Sequence, residues 1–258
     1  MKTLIGLDLG SRSVKIAILG KSGTPKLFDY DTTQFYDSFG RSSESGFLLD
    51  IAKFDVDKDS SILATGYGRN ALTIANAHVV PEIQAHTAGA VHQTGLKNFT
   101  LIDLGGQDSK VITVIDGKVH DFYMNDRCAA SAGRYIENMA KILGMSLPKI
   151  STYFENPEPL SATCAVFGES ELVAKIAKGV PKERLAAGVN AQIIQRITGP
   201  LASRKPARIV LVGGVARNEA ISKLLAMKYQ VPILIPKYPQ HNGAIGLLHN
   251  NTSNCKSA

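Results

Sequence analysis

Residues 101–110, LIDLGGQDSK, and residues 5–15, IGLDLGSRSVK, are two versions of one pattern. In each, an apolar run ends in Asp-Leu-Gly, as Asp8-Leu9-Gly10 and Asp103-Leu104-Gly105. In each, a lysine follows the aspartate at the same distance, Lys15 and Lys110. An apolar run then resumes at once, IAIL at 16–19 and VITVI at 111–115. The pattern reads as strand, tight turn, strand, used twice. Glycine lets the turn take up positive φ and lets its backbone approach a phosphate closely. An aspartate at the strand end can hold Mg²⁺, usually through water. One such turn by itself reads more readily as an ordinary hairpin. Two copies with the same Asp-to-Lys distance are much harder to explain as hairpins alone.

A third piece lies at 209–218, IVLVGGVARN, where a β-branched apolar run leads into Gly213-Gly214 and residues 219–228 read as helix. Two Asp-Gly turns followed by a late strand-Gly-Gly-helix resemble the actin/Hsp70/sugar-kinase ATPase superfamily. The resemblance implies an α/β fold of two similar ribonuclease-H-like lobes with the nucleotide in the cleft between them. The first two turns would grip the phosphates and metal, and Gly213-Gly214 would approach the adenosine. The expected lobes are 1–97 and 98–249, with 250–258 as a polar tail.

Length and composition set bounds on this reading. The 258 residues leave little room for insertions in two duplicated lobes. Hydrophobic content of 44% and charged content of 20% are those of an ordinary soluble globular chain. No apolar run has the length of a membrane span. The opening MKTLIGLDLG is too short and strand-like for a signal peptide, because Asp8 interrupts it. The expected location is therefore the cytoplasm. The net charge of +7 is scattered, apart from a small knot at 204–208. With no Trp for base stacking, nucleic acid is not an expected partner. Electrostatic docking to an acidic protein is the functional alternative to a plain solvated surface.

In chain order, 26–35 and 46–54 read as strands or irregular connections, and 62–64 as a short apolar run. Residues 70–77 and 81–94 read as helices, 118–124 as a strand, and 125–144 as a segment leading into a helix that stops at Gly144. Residues 161–185 repeat that plan, with Gly179 as the stop, and 181–197 read as a further helix. Strands at 209–212 and 231–236 and a short helix at 243–249 complete the chain. His78, His86 and His92 have no metal-motif spacing and read as ordinary surface or core residues.

Three cysteines are present, and Cys255 lies in the polar tail, NNTSNCKSA. Cys128 and Cys164 each stand at the start of an expected helix beside small residues. A buried cysteine is usually a small hydrophobe. A helix N-terminus, however, favours a thiolate through its free amides and dipole. A cuboidal iron–sulfur cluster needs four thiolates, and a symmetric homodimer would supply four around its two-fold axis. A shared structural zinc is the competing reading. A disulfide is disfavoured in a cytosolic chain.

NDRCAASAGRYIE at 125–137 and TCAVFGESELVAKIAKGVPKE at 163–183 resemble the two cysteine motifs of the activator ATPases of 2-hydroxyacyl-CoA dehydratases. That family also holds the ATPase subunits of benzoyl-CoA reductase. TGYGR at 65–69 and GAIGLL at 243–248 belong to the same pattern, so the resemblance spans almost the whole chain. It implies a homodimer with one 4Fe–4S cluster, held by Cys128 and Cys164 of both subunits, in an anaerobic setting. It also implies ATP and Mg²⁺ as cofactors, with Asp8 and Asp103 holding the magnesium. Asp8, Asp103 and Gln107 would be catalytic. Nucleotide-binding positions would be Gly10, Ser11, Arg12, Ser13, Lys15, Gly105, Gly106, Lys110, Gly133, Gly213, Gly214 and Asn218. One departure is visible: the family usually has Cys-Ala-Ala-Gly-Thr-Gly-Arg, whereas Ser131-Ala132 stand at the Gly-Thr positions here.

The implied activity is ATP hydrolysis coupled to electron transfer at low potential. The donor would be a ferredoxin or flavodoxin and the acceptor a partner iron–sulfur enzyme. That acceptor would be a 2-hydroxyacyl-CoA dehydratase, a benzoyl-CoA-type reductase or a related larger-cluster protein. A sugar or N-acetylhexosamine kinase on the same fold is the first alternative, and would need a base aimed at a hydroxyl. A non-redox nucleotide-dependent interaction module is the second. Neither has a use for two helix-capping cysteines.

Overall fold

The computed structural model describes residues 2–21, 23–43, 46–54, 56, 60–66, 77–125, 133–161 and 165–250. The chain divides into two compact units. The first comprises Met1–Lys97, Ile115–Val119 and Gln240–Ala258; the second comprises Asn98–Val114 and His120–Pro239.

The first unit opens with β1 (Leu4–Leu9), β2 (Ser13–Leu19) and β3 (Lys26–Asp31). Helix α1 (Thr32–Phe39) and the hairpin β4 (Gly40–Ser43) and β5 (Gly46–Leu49) follow. Then come β6 (Ser61–Thr65), β7 (Ala77–Val79) and α2 (Glu82–Thr94). The main sheet runs β3-β2-β1-β6-β7, antiparallel on the β1-β2-β3 side and parallel on the β6-β7 side. Strand β1 is buried from Ile5 to Leu9, as an apolar run covered on both faces should be. The expected strand at 26–35 is cut at Asp31, whose carboxylate accepts from the amides of Thr33 and Gln34 and starts α1 instead. The rings of Phe35, Phe39 and Phe54 stack beneath that helix. Residues 70–76 of the expected helix at 70–77 lie outside the described residues, and Ala77 begins β7.

The second unit repeats the plan. It has β8 (Phe99–Leu104), β9 (Ser109–Ile115), β10 (Lys118–Asn125), α3 (Gly133–Leu143), α4 (Leu147–Ile150) and α5 (Ala165–Ala177). It continues through α6 (Lys182–Ala202), β11 (Ile209–Val212), α7 (Glu219–Tyr229) and β12 (Ile233–Leu234). Its sheet order, β10-β9-β8-β11-β12, matches that of the first unit strand for strand. Tyr135, Ile136, Met139, Ala140 and Leu143 of α3 are buried at the helical spacing the sequence shows. They pack on Ile193 and Ile197 of α6 and on Ile102 and Leu211 of the sheet. The expected strand at 231–236 shrinks to two residues, because Pro232 and Pro236 lack an amide to donate.

The last helix, α8 (Asn242–His249), corrects one expectation. The sequence places it with the second lobe, but it packs within the first unit. Ala244, Ile245 and Leu248 close over Ala17, and Leu247 packs on Leu63, Val80 and Ala85. Small residues allow α8 to cross α2 closely; a Cβ on Gly246 would overlap the carbonyl oxygen of Ala85. Among the described residues no helix is long and apolar enough to cross a membrane.

Candidate functional site: two duplicated aspartate turns

The two Asp-Leu-Gly turns share one register. Asp8 stands opposite Lys15 and Leu9 opposite Val14. Asp103 stands opposite Lys110 and Leu104 opposite Ser109. On its other side each aspartate faces a parallel strand, at Thr65 and Val212 respectively. The next residues are Gly66 and Gly213, with φ of 94° and 88°. A Cβ on Gly66 would lie 2.7 Å from the carbonyl oxygen of Leu9. A Cβ on Gly213 would overlap that of Leu104 and lie 2.6 Å from Asp103 Oδ1. Each aspartate-bearing strand end is thus flanked by a glycine that only glycine can replace without strain. The pairing of Gly66 with Gly213 is visible only once the strands are paired.

The second turn is the more rigid. Lys110 is fully buried, and its ammonium lies 2.6 Å from Asp108 Oδ2 and 3.3 Å from Asp103 Oδ2. Burying one cation between two carboxylates offsets the cost of removing all three from water. The Gly105 amide donates to the Asp108 carbonyl at 3.0 Å. A Cβ on Gly105 would lie 2.5 Å from Asp108 Oδ1, so a side chain there would fill the turn. Gly106 and Gln107 form its half-buried tip. The carbonyls of Gly105 and Gly106 each accept at 2.9 Å, from the amides of Gly133 and Arg134. The first two residues of α3 are therefore tied directly to this turn.

The first turn is arranged differently despite its matching spacing. Lys15 reaches its own turn, donating to the Ser13 carbonyl at 3.1 Å. A Cβ on Gly10 would lie 3.2 Å from that ammonium and 2.7 Å from the Ser13 oxygen. Thr32 Oγ1 donates to the Gly10 carbonyl at 2.9 Å, and the Arg12 guanidinium meets Asp31 at 2.8 Å. Ser11 is half-buried at the turn. Asp8 instead faces His86, whose Nε2 lies 3.8 Å from Asp8 Oδ2 and 4.0 Å from Glu82 Oε1. Donor atoms of Asp8, Glu82 and His86 all lie within 4.8 Å of one another. The sequence treats His86 as ordinary because its partners are carboxylates, one a helical turn away on α2 and one on β1. The usable signal is the Glu82–His86 spacing of one helical turn.

The remaining expected positions fall as follows. Gly213 lies against Asp103, and Gly214 is exposed with nothing near its Cβ position. Asn218 caps α7, accepting from the Ile221 amide, and donates to Asn190 Oδ1 at 2.9 Å. Asn190 in turn donates to the carbonyls of Ile150 and Tyr153. Cys128, Cys164 and Cys255 lie outside the described residues. Helix α5 begins at Ala165, directly after Cys164. Its Gly168 packs on the Tyr135 ring of α3; a Cβ there would lie 3.4 Å from Tyr135 Cε2. The Tyr135 hydroxyl donates to Gln192 of α6, and Arg196 stacks over its ring at 4.5 Å. Burial pushes the Tyr135 pKa up to about 12, which keeps it a neutral donor.

The chain matches the BadF/BadG/BcrA/BcrD ATPase family over residues 5–248. It is 34% identical over 253 residues to the (R)-2-hydroxyglutaryl-CoA dehydratase activating ATPase of Acidaminococcus fermentans, covering 94% of each chain. The activator of the 2-hydroxyisocaproyl-CoA dehydratase from Clostridium difficile, solved with bound ADPNP, superposes with a TM-score of 0.82. That match has 28% identity over 99% of both chains. MreB 5 of Spiroplasma citri superposes with a TM-score of 0.56 at 16% identity, over 98% of this chain and 97% of that one, a likeness of fold alone. The chain belongs to the BadF/BadG/BcrA/BcrD ATPase family, with the actin-like ATPase fold, and is a homologue of dehydratase activators.

Proposed function

We propose that this member of the family is an ATP-hydrolysing activator that passes an electron at low potential to a partner iron–sulfur enzyme. The partner is of the 2-hydroxyacyl-CoA dehydratase or benzoyl-CoA-type reductase class. The working form is a homodimer in which Cys128 and Cys164 of both subunits hold one 4Fe–4S cluster, loaded by a ferredoxin or flavodoxin.

The observation that carries this reading is the pair of hydrogen bonds from Gly133 and Arg134 to Gly105 and Gly106. They give a phosphate turn a direct mechanical link to α3, the helix that follows the Cys128 segment. Tyr135 then ties α3 to α5, the helix that follows Cys164. Nothing in a simple kinase requires the two cysteine segments to be joined to the turn.

In this reading Gly10, Ser11, Arg12, Ser13 and Lys15 of the first turn, and Gly105, Gly106 and Lys110 of the second, contact phosphate oxygens. Gly213, Gly214 and Asn218 line the adenosine side. Asp8 offers carboxylate oxygens that suit Mg²⁺. Asp103 carries the Lys110 ammonium already, so Asp8 is the better cation ligand of the two. Bound magnesium supplies charge neutralisation at the phosphates. Asp103 and Gln107 orient the attacking water. Cysteine-held iron and sulfur supply a one-electron carrier whose potential follows hydrogen bonding and exposure. The nucleotide must bind two turn conformations with different affinity for any coupling to occur.

The test uses anaerobically purified, reduced protein with Mg-ADP or a Mg-bound non-hydrolysable ATP analogue. A visible spectrum or midpoint potential that differs between the two is expected. A cluster-bearing protein whose spectrum and potential are identical in both would overturn the coupling.

A further inference from the structure

Helix α2 starts at Glu82, so Glu82 and His86 are one turn apart on one face. Both point to Asp8, and the side chains of Asp8, Glu82 and His86 are 7%, 17% and 6% exposed. The backbone of His86 is held as well. Its carbonyl accepts from Asn242 Nδ2 at 2.7 Å, and Asn242 Oδ1 accepts from Gln93 at 2.9 Å. Gly243 closes the group from α8. A Cβ there would lie 2.7 Å from Asp8 Oδ2 and 2.8 Å from His86 Nε2, so no side chain fits over the pair.

A histidine buried only to fill space needs none of this arrangement. His86 Nε2 stands between the two carboxylates, 3.8 Å from Asp8 Oδ2 and 4.0 Å from Glu82 Oε1. An imidazole so placed restrains where the Asp8 carboxylate points. Partners of this kind behind a metal-binding carboxylate set its orientation, and losing them typically costs about 10- to 100-fold in metal affinity or activity.

We propose that His86, backed by Glu82, is a positioning residue that sets the Asp8 carboxylate for the divalent cation accompanying ATP. The inference rests on the ATPase reading above and adds a residue to it.

The test measures Mn²⁺ binding to the full chain by paramagnetic resonance, with a non-hydrolysable ATP analogue present. Mg-ATP hydrolysis and melting temperature are recorded alongside. His86→Ala is expected to weaken Mn²⁺ binding and lower kcat, each about 10-fold or more. It should leave the KM for ATP within about threefold. His86→Gln, which keeps an amide donor at similar reach, should recover most of both losses. A His86→Ala protein with a lower melting temperature but unchanged Mn²⁺ affinity and kcat overturns the proposal, since the residue then only packs. A His86→Gln protein as impaired as His86→Ala also overturns it, since the imidazole is then itself a ligand. If His86→Ala does not fold, Glu82→Ala decides. Several-fold weaker Mn²⁺ binding supports the proposal, and unchanged binding overturns it. An unmodified protein that neither binds Mn²⁺ with nucleotide nor hydrolyses ATP overturns the ATPase reading first, before any variant is made.

Discussion

The amide of Gly133 donates to the carbonyl of Gly105 at 2.9 Å, joining the start of α3 to the turn that follows Asp103. In the proposed coupling, movement of the turn passes to the helix through this bond. Gly133→Pro removes this donor yet is compatible with a first helical position. The expected variant folds and retains measurable ATP hydrolysis, with any rise in KM reporting Gly133's own contact with nucleotide. The visible spectrum of the proposed cluster is expected no longer to respond to nucleotide. A full spectral response in Gly133→Pro would show that the Gly133–Gly105 bond is not the route.

Equivalent lysines in the two turns should behave differently on removal. Lys110→Ala leaves Asp103 and Asp108 facing each other without their cation, and Lys110 is fully buried. Breaking such a group by removing one partner costs about 3–5 kcal/mol. Lys15→Ala loses a single hydrogen bond to the Ser13 carbonyl, worth about 1 kcal/mol. Urea unfolding of both variants checks this, and equal losses would contradict the asymmetry.

The two adjacent glycines at the end of β11 also separate. Gly213→Ala forces a side chain into φ of 88° and against Asp103, so both stability and hydrolysis should fall. The backbone strain alone costs about 1–3 kcal/mol. Gly214→Ala meets nothing and should leave stability unchanged. If Gly214 contacts the adenosine, that variant raises the KM for ATP without changing the melting temperature.

Much of the fold was legible because the duplication is written in local chemistry. Asp-Leu-Gly with a lysine at constant distance identifies two hairpins, and the strand pairing confirms their common register. Gly144 and Gly179 end their helices at φ of 67° and 77°, as C-terminal glycines do. What stayed hidden depends on contacts distant in sequence. His86 reads as ordinary until α2 is packed beside β1. The crossing of α8 over α2 depends on small residues that look unremarkable in a linear sequence. Lys15 and Lys110 look alike in sequence, yet only Lys110 has an aspartate at position 108 to draw it across. In the segment at 125–144, β10 runs through Asn125 and α3 is described from Gly133, with 126–132 outside the described residues.

A pH effect follows from the C-terminal ends of α2 and α8. The rings of His92 and His249 stack at 3.4 Å, and burial, reinforced by His92, holds the His249 pKa below its usual range. The folded state therefore prefers neutral His249. As pH falls below about 6.5, the unfolded chain takes up the proton first. The stability from this contact is full above that pH and is lost as pH falls through the depressed folded value. Melting temperatures measured from pH 7.5 to pH 5 should decline, and His249→Gln should flatten the decline. An unchanged slope in that variant would remove His249 as the cause.

Metal analysis of protein purified under strict exclusion of oxygen tests the proposed electron-transfer function most directly. Iron should approach about four atoms per dimer, with visible absorption, if each subunit supplies two thiolates. Cys128→Ala and Cys164→Ala should each lose most of the iron and colour while still binding ATP, and Cys255→Ala should change neither. One zinc per colourless dimer would point to a structural site instead. A colourless, metal-free dimer that hydrolyses ATP at a normal rate would contradict the electron-transfer function and leave an ATPase or kinase of another kind.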